Sequence, residues 1–238
     1  MKADVIIFDK DGTLIDFDAF WVPVSVNAIG MALERLDMDA TLAEEILEAY
    51  GVHHGVTSIK GVLCKGTYAG MGQIAYGILQ KHGFTGSVED VTQTVTAAYI
   101  ESVDAGIIKP TCPELVDTLS ELKARGKRLA VVTTDHVEMT KKCLRSLGIE
   151  GLFDKVYCDD GVAPTKPDPF CVYDVCRTFG IEKEKLVMVG DTETDVDFAR
   201  NAGIRVIGIA KADVNREILC GIADAVLPAI SQLSCVIE

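Results

Sequence analysis

Basic residues are scarce in this chain. Its 238 residues carry 23 lysines and arginines against 36 aspartates and glutamates, a formal charge of −13. Such a balance opposes nonspecific binding to nucleic acid or to an anionic membrane, so neither is expected as a partner. It leaves room for an anionic small ligand, because a bound metal or a placed lysine inverts the field locally. Long apolar runs are also missing: none approaches the roughly 20 residues that a membrane helix needs. The eight cysteines include no CxxC pair. A chain this long can build a core without disulfide staples, so reduced and mostly buried thiols are expected, in a cytoplasmic protein. The N-terminus runs directly into a strand-like segment, and no secretory signal is expected there. His53, His54, His82 and His136 lack metal-ligand spacing. No internal repeat, low-complexity segment or disordered tail is visible.

What is present is a globular composition, 48% hydrophobic and 25% charged. Short β-branched runs recur at 5–8, 129–132, 155–157, 186–189 and 205–209. Each is too short for a helix and shows little polar alternation, as strands buried on both faces of a parallel sheet do. Amphipathic segments of helical length lie between the last four, at 137–147, 169–179 and 194–201. Alternating strand and helix predicts an α/β fold with a Rossmann-like parallel sheet. From 17 to 105 no strand is evident, and 19–36, 42–50, 72–81 and 88–103 read as helices. Residues 5–8 cannot form a sheet alone and need the later strands as partners. The expectation is therefore a core domain of 1–16 and 106–238, interrupted by an inserted helical cap domain of 17–105.

The chemistry concentrates where the apolar runs end. "VIIFDKDGTLID" leads a buried run straight into Asp9 and Asp11. Two carboxylates this close repel, and each costs free energy to desolvate. Ligands of parallel α/β sheets bind at the carboxyl ends of the strands, so residues following each strand should meet there. Those residues are Asp9, Asp11, Gly12 and Thr13; Thr133, Thr134 and Asp135; Asp159, Asp160 and the later Lys166; and Asp191 with Asp195. A hard divalent cation, Mg²⁺ above all, would relieve the carboxylates and leave sites for phosphate oxygens. Asp159 and Asp160 read as a polar turn, and Thr13 as a turn residue outside the site.

The four segments "DKDGT" (9–13), "VVTT" (131–134), "TKPDP" (165–169) and "VGDTETD" (189–195) resemble, in order and spacing, the motifs of the haloacid dehalogenase superfamily. The likeness extends over nearly the whole chain and is greatest to the phosphoglycolate phosphatase and β-phosphoglucomutase branch, whose C1-type cap the insertion resembles. The resemblance implies a Mg²⁺-dependent phosphatase for a small phosphomonoester. Asp9 would be the nucleophile forming an aspartyl-phosphate, and Asp11 the general acid and then the base for water. Lys166 would offset charge on the nucleophile and the phosphoryl group. Gly12 would turn backbone N–H groups toward phosphate, with Thr133 and Thr134 beside it on the substrate. The metal would be held by Asp9, the Asp11 main-chain carbonyl and Asp191, with Asp195 a ligand directly or through water.

The pattern departs from the family at two places. Lys10 stands where this branch more often has an apolar residue, and "DKDGT" is thereby similar to the "DKTGT" of P-type ATPases. Those have threonine in place of Asp11, and a carboxylate there favours turnover of the aspartyl-phosphate by water. It also argues against a dehalogenase. Thr134 stands where asparagine is common. Three alternatives remain: a phosphosugar mutase of the β-phosphoglucomutase type, a phosphonatase, which would need a cap lysine forming an imine with an aldehyde, and a non-catalytic phosphate-binding or regulatory domain. Cap residues Lys60 and Lys65 are candidates for a second anionic group of the substrate, or are solvated loop lysines. A monomer or homodimer is expected.

Overall fold

The computed structural model describes residues 1–211 and 213–238. The chain divides into two compact units, Met1–Asp16 with Ile108–Glu238, and Phe17–Ile107. The first unit opens with β1 (Val5–Phe8), all four residues of which are buried. The chain then builds the second unit from α1 (Phe17–Arg35), α2 (Leu42–Ala49), β2 (Val52–His53), β3 (Val56–Thr57), α3 (Val62–Lys65), α4 (Tyr68–Lys81) and α5 (Val88–Ser102). Helix α5 starts at a capping box in which Ser87 and Asp90 satisfy each other's backbone N–H groups. Val24, Ala28 and Ile29 of α1 and Val95, Ala98 and Tyr99 of α5 are buried inside this unit. Gly72 lets α4 approach α5 closely, since a Cβ there would lie 2.3 Å from Thr92 Oγ1.

The antiparallel pair β2–β3 corrects the expectation of a strandless segment from 17 to 105. Each strand has only two residues, too few to display a period of two. Its turn uses His54 and Gly55, both at positive φ, where asparagine–glycine would have signalled a hairpin.

The first unit resumes with α6 (Leu115–Ala124), β4 (Arg128–His136), α7 (Val137–Ser146), β5 (Lys155–Asp159), α8 (Phe170–Phe179), β6 (Leu186–Gly190), α9 (Glu193–Ala202), β7 (Arg205–Ile209), α10 (Asp213–Cys220), β8 (Ala225–Leu227) and α11 (Leu233–Val236). Six strands form one sheet in the order β5-β4-β1-β6-β7-β8. Every pairing within it is parallel. Such a sheet is covered on both faces, which is why β1 and β6 are apolar and buried throughout. Ile6, Phe8, Leu129, Val131, Val187, Val189 and Ile207 belong to one buried cluster. Each large side chain removed from water there contributes about 1.5–3 kcal/mol.

Strand order reverses at β1. The chain proceeds outward through β4 and β5 on one side and through β6, β7 and β8 on the other. A crevice at the carboxyl ends of the strands belongs at such a reversal. All eight cysteines are free thiols, but only Cys112, Cys143 and Cys171 are buried, so the expectation of mostly buried thiols is too strong.

Candidate active site

Asp9 follows β1 directly, and its N–H still donates to the Val189 carbonyl at 2.9 Å. The chain then turns tightly: Leu14 and Ile15 both donate to the Lys10 carbonyl, and Gly12 donates to the Ile15 carbonyl at 2.7 Å. Gly12 has φ +81°, and a Cβ there would lie 2.0 Å from Asp191 Oδ2. The residue must be glycine for two reasons, a left-handed backbone and the space Asp191 occupies. The sharp turn expected at Gly12 is present; its own N–H is used inside the turn, and Gly12 also leaves the room that Asp191 fills.

The end of β6 is built around Asp195 in the first turn of α9. Its Oδ2 accepts from the Thr192 N–H at 3.0 Å, Thr192 Oγ1 at 2.8 Å and the Asp191 N–H at 3.2 Å. Its Oδ1 accepts from Lys166 Nζ at 2.6 Å. Lys166 reaches in from the β5–α8 loop, which Asn201 ties to α9 through the Pro167 carbonyl at 2.9 Å. The same ammonium lies 2.5 Å from Asp9 Oδ1. Lys166 thus bridges the ends of β1 and β6, and all its partners are buried.

Asp9, Asp191 and Asp195 each offer an oxygen, and these atoms lie within 4.8 Å of one another. The lysine pairs with two of the three. Asp191 has a longer contact, accepting from Thr13 Oγ1 at 3.3 Å. Burial pushes Asp9 up to about 7; Lys166 opposes this, and Asp195 and Asp11 add to it. Burial also raises Asp191 well above the usual carboxylate range, with Asp9 and Asp195 adding repulsion. For Lys166 burial acts against the charge, but Asp195 and Asp9 outweigh it and hold the ammonium above its ordinary value. Three buried carboxylates facing one ammonium leave an excess of negative charge, and every donor is oxygen. That donor set fits a hard divalent cation.

A pH dependence follows. Unfolded carboxylates titrate near 3.9. With Asp9 and Asp191 raised, the folded metal-free chain binds more protons than the unfolded chain between about pH 4 and pH 7. Its stability should therefore fall as pH rises through that window. Thermal melts in EDTA from pH 5 to pH 8 should show a falling Tm, and a Tm that rises steadily across that range would contradict raised Asp9 and Asp191 carboxylates.

Asp11 does not join this cluster. Its Oδ2 lies 2.6 Å from Lys10 Nζ, which also makes a 3.0 Å ion contact with Asp135 Oδ2 at the end of β4. Burial works against the Lys10 charge, but Asp11 and Asp135 more than offset it. Asp11 Oδ1 is buried and has no hydrogen-bond partner. Thr133 is buried, and its Oγ1 accepts the Asp135 N–H at 3.2 Å, leaving the hydroxyl hydrogen to donate. Thr134, unlike the buried Thr133, is exposed. Asp159 and Asp160 accept local backbone N–H groups in a turn. Lys60 and Lys65 are exposed in the second unit.

Sequence reasoning missed three participants. Thr13 reads in the sequence as a turn residue, yet it is buried and donates to Asp191. Lys10 reads there only as a departure from the family pattern, and Asp135 only as a strand-end residue. Their pairing depends on β1 and β4 lying side by side, which no local spacing signals.

A parallel α/β sheet that reverses at β1, with a buried cluster of oxygen donors and a bridging lysine at its carboxyl edge, defines a class of α/β proteins whose ligand site lies at the switch point. A family model described as haloacid dehalogenase-like hydrolase matches residues 3–203. The chain belongs to the haloacid dehalogenase-like hydrolases. It is 34% identical over 201 residues to a phosphoglycolate phosphatase of Aquifex aeolicus, covering 84% of this chain and 82% of that one. A phosphoglycolate phosphatase of Psychrobacter arcticus is 28% identical over 210 residues, covering 88% and 84%. Among solved structures, a protein described as a predicted phosphoglycolate phosphatase from Haemophilus somnus 129PT superposes with a TM-score of 0.70. It is 22% identical, with 99% of this chain and 98% of that one covered, and so supports the fold. No helix among the described residues is long and apolar enough to cross a membrane.

Proposed function

We propose that this chain is a Mg²⁺-dependent phosphatase that hydrolyses a small phosphomonoester through an aspartyl-phosphate on Asp9. The observation that carries the reading is the pairing of Asp9 with Lys166 inside a carboxylate cluster, with the separately held Asp11 two residues along the chain. Phosphoglycolate is the first candidate substrate, because the relatives named above are phosphoglycolate phosphatases. Those names also favour water over a bound sugar as the final acceptor. Asp9 and Asp191 would hold the cation, with the Asp11 carbonyl, and Asp195 would order the loop behind them. When bound, the cation neutralises the phosphate and favours an in-line approach.

The chain's own residues divide the remaining work. An Asp9 carboxylate oxygen attacks phosphorus, and the bond from phosphorus to the ester oxygen breaks. Asp11 gives a proton to that oxygen, then takes one from the water that hydrolyses the acyl phosphate. Lys166 stabilises negative charge on the nucleophile and the transferring group, and Thr133 donates its hydroxyl hydrogen to a phosphate oxygen.

Phosphate release from a panel containing phosphoglycolate, sugar phosphates, nucleotides and pyrophosphate, with Mg²⁺ and with EDTA, tests this. Metal-dependent release with a clear preference is expected. A cation-binding readout stands apart from activity: Mg²⁺ at about 100 times its Kd should stabilise the protein by about 2.7 kcal/mol. In Asp191→Asn that stabilisation should disappear. A folded wild type that neither releases phosphate nor responds to Mg²⁺ would overturn the proposal.

A further inference from the structure

Lys10 is 1% exposed and follows the buried strand β1. An apolar residue would continue that run at no electrostatic cost. Replacing buried ion pairs by well-packed apolar residues is often neutral or stabilising, so packing alone does not call for an ammonium here. The charge faces two carboxylates, Asp11 Oδ2 at 2.6 Å in the turn after β1 and, as an ion contact without a hydrogen bond, Asp135 Oδ2 at 3.0 Å at the end of β4. Asp135 is itself anchored, because its Oδ1 accepts the His136 N–H at 2.8 Å. The two carboxylates of the "DKDGT" turn therefore have different lysines, Lys166 for Asp9 and Lys10 for Asp11. Lys10 occupies one oxygen of Asp11 and leaves the other, Oδ1, buried and without a hydrogen-bond partner. A buried, unpartnered carboxylate oxygen costs free energy, and it is explained if a substrate atom completes it.

We propose that Lys10 is a positioning residue that, steadied by Asp135, fixes the side chain of Asp11 by Oδ2 so that Oδ1 is the oxygen presented to the departing ester oxygen. This rests on the phosphatase reading above. Its consequence is selective. An alkoxide leaving group needs a proton delivered from one placed oxygen, whereas p-nitrophenolate leaves with little help. Loss of Lys10 should therefore damage turnover of alkyl phosphates and spare that of aryl phosphates.

The test is Lys10→Met, of similar length and uncharged, with kcat/KM measured on phosphoglycolate or the best alkyl ester and on p-nitrophenyl phosphate. That parameter reports steps up to departure of the alcohol. General acid catalysis contributes about 10²–10⁴-fold, so a loss of roughly 10- to 100-fold is expected on the alkyl ester when the acid is displaced and not removed. Less than about a 3-fold loss is expected on the aryl ester. In an Asp11→Asn background the Lys10→Met effect should vanish. Equal losses on both esters, or a loss that persists without Asp11, would overturn the proposal. Asp135→Asn, which leaves Lys10 in place but less steadied, should give a milder loss of the same selectivity and serves if Lys10→Met does not fold. A crystal structure of the variant used needs no turnover: Asp11 should occupy a changed or divided rotamer. An unmoved Asp11 would overturn the inference, while an inactive wild type would overturn the phosphatase reading instead.

Discussion

Asp9→Asn should reduce phosphate release by roughly 10⁴-fold or more while leaving the protein folded, as expected when a covalent nucleophile is removed. Asparagine keeps the shape of the side chain and a carbonyl oxygen that can still accept from Lys166, which lies 2.5 Å from Asp9 Oδ1 in the wild type. What it loses is the charge and the nucleophilic oxygen. Lys166 retains Asp195 as an ionic partner at 2.6 Å, so the variant does not strand a buried ammonium. The variant also removes one of the three clustered carboxylates. Its metal-free Tm at pH 8 should accordingly match or exceed that of the wild type, and circular-dichroism melts with the release assay check both arms. Retention of more than about 1% of activity after repurification would mean that Asp9 is not the nucleophile.

Lys166→Met should have the largest effect on stability. Nζ is the shared partner of Asp9 and Asp195, and removing it leaves Asp9, Asp191 and Asp195 together with no ammonium among them. Breaking a buried pair by deleting one partner typically costs about 3–5 kcal/mol. At about 2–4 °C per kcal/mol for a protein of this size, Tm should drop by roughly 6–20 °C in EDTA at pH 8. The loss should shrink toward pH 5, where the raised carboxylates of Asp9 and Asp191 take up protons. Mg²⁺ should recover part of it by supplying the missing positive charge. Denaturant melts under the three conditions measure this, and a change below about 1 kcal/mol at pH 8 would show that the lysine does not carry the charge balance.

These two residues illustrate what a linear reading can reach. Asp9 ends an apolar run and Lys166 follows another, so the rule that strand ends meet at one edge of a parallel sheet gathers them without knowledge of the register. The same rule gathers Asp191 and Asp195. It does not say which side chain at a strand end faces inward: Thr133 is buried and Thr134 exposed, where the register of β4 is irregular. Nor does it show the space that Gly12 must leave, which is visible only once Asp191 is known to lie against it. The two-residue strands β2 and β3 and the three-residue β8 were missed for a further reason: segments so short carry too few positions to show a period.

By itself the sequence determined the α/β class, the five longer strands of the sheet and the set of chemical groups available at their ends. Apolar period and strand-end polarity are local properties, and local properties survive in a linear string. The tertiary structure alone decided how those groups are partnered. It joined Lys166 to Asp9 and Asp195, Thr13 to Asp191, and Lys10 to both Asp11 and Asp135. Apart from the neighbouring Lys10 and Asp11, these partnerships span from 29 residues of chain, between Lys166 and Asp195, to 178, between Thr13 and Asp191. They exist because β4 and β6 pair on either side of β1, and that pairing is a property of the assembled sheet.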